Sequence, residues 1–308
     1  MVRRRKGNDI SGWLIVDKPG GMTSTDVVNR VRRLLDARKV GHGGTLDPLA
    51  TGVLPIALGE ATKTVAYVMD GKKSYRFCVR FGAATETDDA EGRIVAESDR
   101  RPSDEEIRAQ LPRLIGRISQ IPPAYSAIKV DGQRAYDLAR EGAPPKLEPR
   151  EVRIDAFELV ARPSADEAIF EVRSGKGAYM RSLARDLGEL LGCHGHIATL
   201  RRLSVGPFDE GSAIALDRLE RLEEGAARSE LVLPIETALD GIPALALTSS
   251  EANKLRSGQA VPMLSRSQSD RIRDLENGDI VCAMTDGRAV AISRFEAGEI
   301  RPVRVINP

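Results

Sequence analysis

The sequence contains few cysteines and no long apolar run. Its three cysteines, Cys78, Cys193 and Cys282, are odd in number and far apart, which argues against a disulfide framework and fits a reducing cytoplasm. No stretch approaches the roughly 20 apolar residues that span a bilayer, and the charged N-terminus lacks the apolar segment of a secretory signal. We therefore expect a cytoplasmic protein that does not bind a membrane.

The chain is long enough for one large and one small domain. A single core usually stops growing at about 250 to 300 residues, and this chain has 308. Its net charge of +1 hides an asymmetry, since residues 1–80 carry 15 Lys and Arg against 7 Asp and Glu. Clustered cations bind phosphate backbones through counterion release, so we expect a polyanionic partner.

The segment GHGGTLDPLATG, residues 41–52, isolates one carboxylate. Gly43 and Gly44 permit backbone angles that other residues reach only with strain, and Pro48 keeps Asp47 out of helical geometry. Asp47 is thus held on a tight, open loop, with His42 and a basic helix before it. This arrangement predicts that an anionic ligand approaches the Asp47 carboxylate.

The first half of the chain mixes strands and helices. A strand at 12–16 precedes a helix that Thr23 and its neighbours can cap, and a strand at 53–58 contains Pro55, which demands an edge or a bulge. The alternating strand 74–81 places Tyr75 among inward-facing residues, as is typical of a core aromatic.

Two clusters that resemble metal sites lack the required spacing. The acidic segment 84–108 contains ETDDAE but not the twelfth-position glutamate of a calcium loop, so it is interpreted as a solvated loop leading into a helix near Ser103. The run CHGH at 193–196 does not match common zinc spacings. We expect no metal.

The second half of the chain contains a segment that leaves the core, a helix preceded by a glycine-rich loop, and a small β module. Residues 121–149 are poor in large aliphatics and include a hairpin signal at Asp131-Gly132, as expected of a ligand clamp. Strands near 152–160 and 167–173 precede SGKG and a helix that carries Arg181 and Arg185. From about residue 243 a short helix and three alternating strands indicate a small, mostly β module.

Four blocks of this sequence resemble one family. They are LIVDKPGGMTS with GGTLDPLATGVLPIALGEATK, PPAYSAIKVDGQRAYDLAREG, KGAYMRSLARDLG, and LRRLSVGPF, in the family's order over most of residues 12–208. The chain is similar to the tRNA pseudouridine-55 synthase family. The resemblance implies an α+β fold: a mixed, largely antiparallel sheet with flanking helices at 1–240, an RNA-clamping insertion at about 121–149, and a β-barrel-like PUA domain at 241–308.

The resemblance implies that uridine-55 in the T-arm loop of tRNA is isomerised to pseudouridine. The base is detached from C1′, rotated and rejoined through C5, which needs no cofactor. The expected partner is the tRNA T-arm stem-loop, and we expect a monomer without an obligate protein partner. The family synthases also help tRNA to fold.

The family's functional residues fall on seven positions of this sequence. Asp47 matches the catalytic aspartate, Tyr75 the tyrosine that stacks on the base, and Arg181 the arginine that keeps the aspartate ionised and oriented. Tyr179 and Leu200 match residues of the base pocket. Lys18 matches a structural lysine, and His42 a histidine that enters the RNA loop.

Several alternatives remain at the level of sequence. Asp47 can attack C1′, add to the base or assist proton loss at C2′, and all three need the same acid. A guide-dependent pseudouridylase would need partner proteins, a non-catalytic RNA-folding module would not need Asp47, and a nucleoside hydrolase would release free uracil.

Overall fold

The computed structural model describes residues 7–126, 128–130, 132–140, 145–222 and 226–307. Its helices are α1 (Ser24–Leu34), α2 (Val65–Asp70), α3 (Asp104–Gln110), α4 (Ala135–Arg140), α5 (Met180–Leu190), α6 (Leu216–Arg221), α7 (Ala226–Ser229), α8 (Ser249–Arg256) and α9 (Arg266–Arg271). Its strands are β1 (Gly12–Lys18), β2 (Val40–His42), β3 (Thr51–Leu58), β4 (Lys73–Phe81), β5 (Ala83–Thr85), β6 (Ile94–Glu97), β7 (Gly116–Gln120), β8 (Lys129–Val130), β9 (Gln133–Arg134), β10 (Arg150–Ala161), β11 (Glu167–Ser174), β12 (Gly195–Val205), β13 (Phe208–Asp209), β14 (Ile214–Ala215), β15 (Ala244–Ala246), β16 (Val261–Pro262), β17 (Ile280–Thr285), β18 (Arg288–Glu296) and β19 (Glu299–Val305).

Ten strands form one mixed sheet. Its order is β14-β1-β3-β12-β4-β11-β10-β7, with β2 beside β3 and β13 beside β12. The pairs β1–β14 and β3–β12 are parallel, and the other neighbours are antiparallel. The mixed, largely antiparallel sheet that the family resemblance implies is therefore confirmed.

Local sequence signals account for the first elements. The Thr23 side chain accepts a hydrogen bond from the Asp26 N–H at 3.1 Å, and Asp26 accepts one from the Thr23 N–H at 3.0 Å. This capping box satisfies N–H groups that the start of α1 would otherwise leave without a partner. Val27, Val28 and Val31 then bury one face of the helix against the sheet.

The edge or bulge position expected for Pro55 is wrong, since β3 lies inside the sheet and pairs with β1 without a register shift. Its strand, β3, lies inside the sheet, with β1 on one side and with β12 and β2 on the other. β12 pairs only with Thr51 and Gly52, and β2 begins its pairing at Ile56, so the two leave a gap. The Gly43 N–H donates to the Pro55 carbonyl at 2.8 Å on that side. Because the N and C=O of one strand residue face the same side, the N–H that proline lacks would point into the gap.

The C-terminal residues form a five-stranded sheet, in the order β15-β17-β18-β19-β16, with α8 packed on it. This confirms the three predicted strands and adds two short ones. One face of the sheet is continuous with the core behind the large sheet, where Ile292 packs in one cluster with Trp13 and Phe208. Lys63 also donates to the Val305 carbonyl at 2.9 Å. The two sheets therefore share buried surface. None of the described helices is long and apolar enough to cross a membrane.

This shared core predicts that the C-terminal sheet stabilises the surroundings of the single tryptophan, Trp13. Replacing Ile292 by Ala removes buried methyl groups and leaves a cavity, which should lower the free energy of unfolding by about 2–4 kcal/mol. Urea denaturation followed by Trp13 fluorescence measures this. Ile94→Ala, at a side chain 59% exposed, is the control and should change little. An unchanged Trp13 transition in Ile292→Ala would contradict the shared core.

Candidate active site

The loop around Asp47 is fixed from behind by a buried lysine. Lys18, at the end of β1, donates from Nζ to the carbonyls of Pro19 at 2.9 Å, Met22 at 2.6 Å and Pro48 at 3.1 Å. These three acceptors match the three N–H donors of an ammonium group. Burial lowers the pKa of Lys18 to about 8, and the negative charge of Asp47 opposes this shift. The lysine thus holds the backbone immediately after Asp47.

The front of the same loop is held by α1 and β12. The Ser24 hydroxyl donates to the Leu46 carbonyl at 3.2 Å and accepts from the Leu46 N–H at 2.9 Å. Arg202, buried on β12, donates to the Gly44 carbonyl at 3.1 Å and the Val53 carbonyl at 2.8 Å. Neither Ser24 nor Arg202 is singled out by sequence reasoning as a residue that holds this loop, because a serine in a cap and an arginine in a strand carry no distinctive spacing.

The two glycines before Asp47 serve different purposes. Gly44 has a φ of +125°, so the predicted freedom of its backbone is confirmed. The same prediction is wrong for Gly43, which does not have a positive φ. There the constraint is space, since an added Cβ would lie 3.0 Å from Val68 Cγ1 and 3.3 Å from Trp13 Cζ3.

Arg181 forms the ion pair that orients Asp47. Its Nε lies 2.9 Å from Asp47 Oδ2, and the arginine side chain is 4% exposed whereas that of Asp47 is 33% exposed. Arg181 also donates from Nη1 to the Thr87 carbonyl at 3.0 Å and from Nη2 to the Tyr125 carbonyl at 2.8 Å. The guanidinium is therefore fixed inside the protein while the carboxylate it contacts reaches the surface.

The first part of the acidic segment interpreted as a solvated loop is packed against α5. Asp89 is buried, and its Oδ2 lies 3.6 Å from Arg181 Nη1. Asp88 Oδ2 lies 2.9 Å from Arg185 Nη1. Burial raises the pKa of Asp88 to about 6, and Arg185 opposes that shift. The expectation of a solvated loop is therefore wrong at Asp88 and Asp89, whose charges two arginines of α5 compensate. It is confirmed for most of residues 90–101, which are exposed. The helix expected near Ser103 is confirmed as α3, which Ser103 caps.

The remaining predicted residues lie around this pair. Tyr179 precedes α5, and its pKa is raised first by burial and also by the charge of Asp47, so its hydroxyl stays protonated. Tyr75 and Leu200 lie almost fully buried on the neighbouring strands β4 and β12, where Tyr75 is in register with Arg202. His42 lies partly buried at the end of β2, opposite Ile56.

The structure gives the CHGH segment a role in the fold. Cys193 is buried, and His196 Nδ1 lies 2.9 Å from the Ala83 carbonyl oxygen. Within the described residues, no three His, Cys, Asp or Glu side chains lie together as a metal site.

The hairpin expected at residues 131–132 forms between β8 and β9, although Asp131 itself lies outside the described residues.

The whole chain is similar to enzymes of known name. A family model described as "TruB family pseudouridylate synthase (N terminal domain)" matches residues 32–180, and one described as "tRNA pseudouridylate synthase B C-terminal domain" matches residues 181–240. The tRNA pseudouridine synthase B of Gluconacetobacter diazotrophicus is 57% identical, over 99% of this chain and 100% of its own length. The chain belongs to the TruB family of pseudouridylate synthases. The family resemblance expected from the sequence is thus confirmed.

Two further matches, one to a named relative and one to a solved structure, support the same family and fold. The tRNA pseudouridine synthase B of Rhodospirillum rubrum is 53% identical, over 100% of both chains. Among solved structures, a chain of a Cbf5-Nop10-Gar1 complex is 25% identical with a TM-score of 0.72, covering 96% of this chain and 85% of that one. The fold is therefore the mixed α+β fold of the pseudouridine synthases. Residues 241–308 lie beyond both matched family models.

The buried position of Lys18 predicts a pH-dependent contribution to stability. Its pKa in the folded protein, about 8, lies below the roughly 10.4 of an unfolded lysine, so between these values the unfolded chain binds more protons. The stability of the wild type should therefore rise with pH in this window relative to Lys18→Met, which lacks the titrating group. Urea unfolding of both proteins at pH 7.5, 9 and 10 measures the difference. A difference that is flat or falls with pH would contradict the assignment.

Proposed function

We propose that this protein isomerises uridine-55 in the T-arm loop of tRNA to pseudouridine. The observation that carries the proposal is a single, partly exposed carboxylate, Asp47, ion-paired at 2.9 Å with the buried Arg181. Full-length relatives named tRNA pseudouridine synthase B, at 53% and 57% identity, support the same reaction. No atoms are gained or lost in the isomerisation, so the proposed reaction uses no cofactor.

Asp47 is the proposed catalytic residue. Cleavage of the glycosidic bond builds positive charge at C1′, and an adjacent carboxylate can stabilise that charge or trap it covalently. Attack at C1′, addition to the base and assistance of proton loss at C2′ each need a carboxylate with a fixed direction. The Lys18 bond to the Pro48 carbonyl and the ion pair with Arg181 supply that direction.

The target base must leave its stack before it can reach Asp47. Flipping a nucleotide costs a few kcal/mol, which contacts to the extruded base and to the RNA must offset. In the proposal Tyr75 stacks on the base, Tyr179 and Leu200 line its pocket, and His42 enters the vacated space in the RNA loop. Burial raises the pKa of Tyr179, so its hydroxyl carries a proton in the proposed pocket.

A nucleoside hydrolase is disfavoured by the position of the second carboxylate. Glycoside hydrolases need two acids at the sugar, one of which protonates the leaving group. Asp89 is the other carboxylate on Arg181, but it is buried and accepts bonds from Thr87 Oγ1 at 2.6 Å and the Glu91 N–H at 3.0 Å. It therefore does not face a substrate.

The proposed RNA surface surrounds the Asp47 loop. Arg32, Arg33 and Lys39 are exposed on and after α1, the helix that holds Leu46 through Ser24. The insertion at about 121–149 and a PUA-like domain at 241–308 supply the other proposed contacts, with residues 1–240 as the catalytic domain.

The protein is proposed to act as a monomer without partner proteins. A relative named tRNA pseudouridine synthase B is 57% identical to this chain, whereas the chain from the Cbf5-Nop10-Gar1 complex is 25% identical. A cytoplasmic location fits the three free, buried cysteines.

Asp47→Asn tests the reaction. Tritium release from tRNA labelled at uridine C5 should fall by at least about 10³-fold, because the amide keeps the shape of the side chain but not its charge. Asp240→Asn, at an exposed carboxylate, is the control and should match the wild type. Release of tritium by Asp47→Asn at the wild-type rate would refute the assignment. Free uracil as the product would indicate a hydrolase, and a folded wild type inactive on a T-arm stem-loop would refute the proposed function.

Arg150 is the proposed phosphate contact at the mouth of the site. It begins β10 directly opposite Gln120, and its charge acts on the Tyr179 hydroxyl. Further along the same strand Arg153 is paired with Asp155 at 2.6 Å. Among the side chains that the structure describes, no carboxylate pairs with Arg150. An exposed cation of this kind can neutralise a phosphate.

Arg150→Ala should therefore weaken tRNA binding and reduce its salt dependence. Loss of one phosphate contact should lower the magnitude of the slope of log K against log salt concentration by about 1. Filter binding between 50 and 300 mM KCl measures the slope, and Arg153→Ala is the matched control on the same strand. Arg153→Ala should keep the slope of the wild type, and a wild-type slope for Arg150→Ala as well would rule out the phosphate contact.

A further inference from the structure

Gln120 joins the base of the 121–149 insertion to Tyr179, the N-cap residue of α5. It ends β7, and its side chain is almost fully buried. Its Nε2 donates to the Tyr179 carbonyl at 3.1 Å, and its Oε1 accepts from the Tyr179 N–H at 2.8 Å. One side-chain amide therefore binds both backbone polar groups of a residue of the proposed base pocket.

This pair of bonds fixes the backbone of the residue at which α5 begins. Tyr179 is the N-cap residue of α5, with φ −107° and ψ 119°, and it makes no side-chain cap bond. An amide that offers one donor and one acceptor imitates the edge of a neighbouring strand and holds this extended conformation. A buried amide without partners is costly, so a residue needed for packing alone would be apolar here.

The next residues of the insertion are tied to the same helix. Ser182 Oγ and Arg185 Nη2 each donate to the Ile121 carbonyl at 2.8 Å. Arg181 Nη2 donates to the Tyr125 carbonyl at 2.8 Å. The base of the insertion and the side chains around Asp47 therefore share one set of hydrogen bonds.

We propose that Gln120 is a positioning residue. It fixes the backbone of Tyr179 and thereby the position of Arg181, two residues later. Through this link, the placement of the insertion on RNA determines the geometry of the base pocket. This inference rests on the proposed function. Gln120 itself does not touch the substrate. Its loss should misplace the pocket without removing an RNA contact, and displacements of about 1 Å can cost 10²-fold in rate.

Gln120→Leu tests this inference, since leucine has a similar size but no polar atoms. The single-turnover rate of pseudouridine formation at saturating T-arm RNA should fall roughly 10- to 100-fold, while the dissociation constant for the RNA stays within about twofold. Gln110→Leu, at a partly exposed glutamine at the end of α3, is the matched control and should leave both values unchanged. A wild-type rate, or a loss confined to RNA affinity, would overturn the inference.

Gln120→Glu separates positioning from a loss of folding. A protonated carboxyl group can accept from the Tyr179 N–H and donate to its carbonyl, whereas a carboxylate can only accept. The rate of this variant relative to the wild type should therefore be highest at pH 5 and fall by at least fivefold towards pH 8, with circular dichroism unchanged. A ratio that does not depend on pH would contradict the role of the second hydrogen bond.

Amide hydrogen exchange tests the bonds independently of any activity. The Tyr179 N–H should exchange at least tenfold faster in Gln120→Leu than in the wild type, with exchange in the centre of β12 unchanged. Equal exchange would overturn the inference even if the enzyme is a pseudouridine synthase. If the wild type forms no pseudouridine, the proposed function and the positioning role fail together, although faster exchange would still establish the two bonds.

Discussion

The site depends on one buried guanidinium that binds groups from three separate parts of the chain. Arg181 contacts Asp47 from the loop after β2, Asp89 and the Thr87 carbonyl from the acidic segment, and the Tyr125 carbonyl from the insertion. A buried cation is costly unless it is paired and hydrogen-bonded, so each of these segments must be in place before Arg181 can be buried. The ion pair with Asp47 therefore depends on the assembly of all three segments around Arg181.

The sheet makes this convergence possible. β1 ends at Lys18 and β12 carries Arg202, and these two buried cations hold the backbone on opposite sides of Asp47 through carbonyl oxygens. Bonds to carbonyls fix the loop and leave the Asp47 carboxylate available to Arg181 and to a substrate. Asp47, the proposed catalytic acid, is thus held through its backbone and partly exposed in its side chain, which is the preorganisation that electrostatic catalysis requires.

Much of this arrangement could be predicted from sequence, and the reasons are local. The Thr23 cap, the alternation along β4 and the turn at Gly44 depend on neighbouring residues, so their patterns are visible in the chain. The roles of Asp47 and Arg181 came from a resemblance, whereas their contact is a finding of the structure. Asp89, Arg202 and Gln120 were missed because their partners lie between 59 and 158 residues away, and no spacing encodes such contacts. The prediction for Pro55 is wrong because the gap between β12 and β2 depends on strand register, which only the assembled sheet defines.

The most direct test of the account is the single-turnover rate of Arg181→Lys on T-arm RNA, measured beside the dissociation constant for that RNA. Lysine keeps the charge but cannot contact two carboxylates and two carbonyls with a planar group. The account predicts a rate at least about 100-fold below that of the wild type, with RNA affinity unchanged. A rate near that of the wild type would contradict the claim that the geometry of this ion pair, and not its charge alone, makes Asp47 effective.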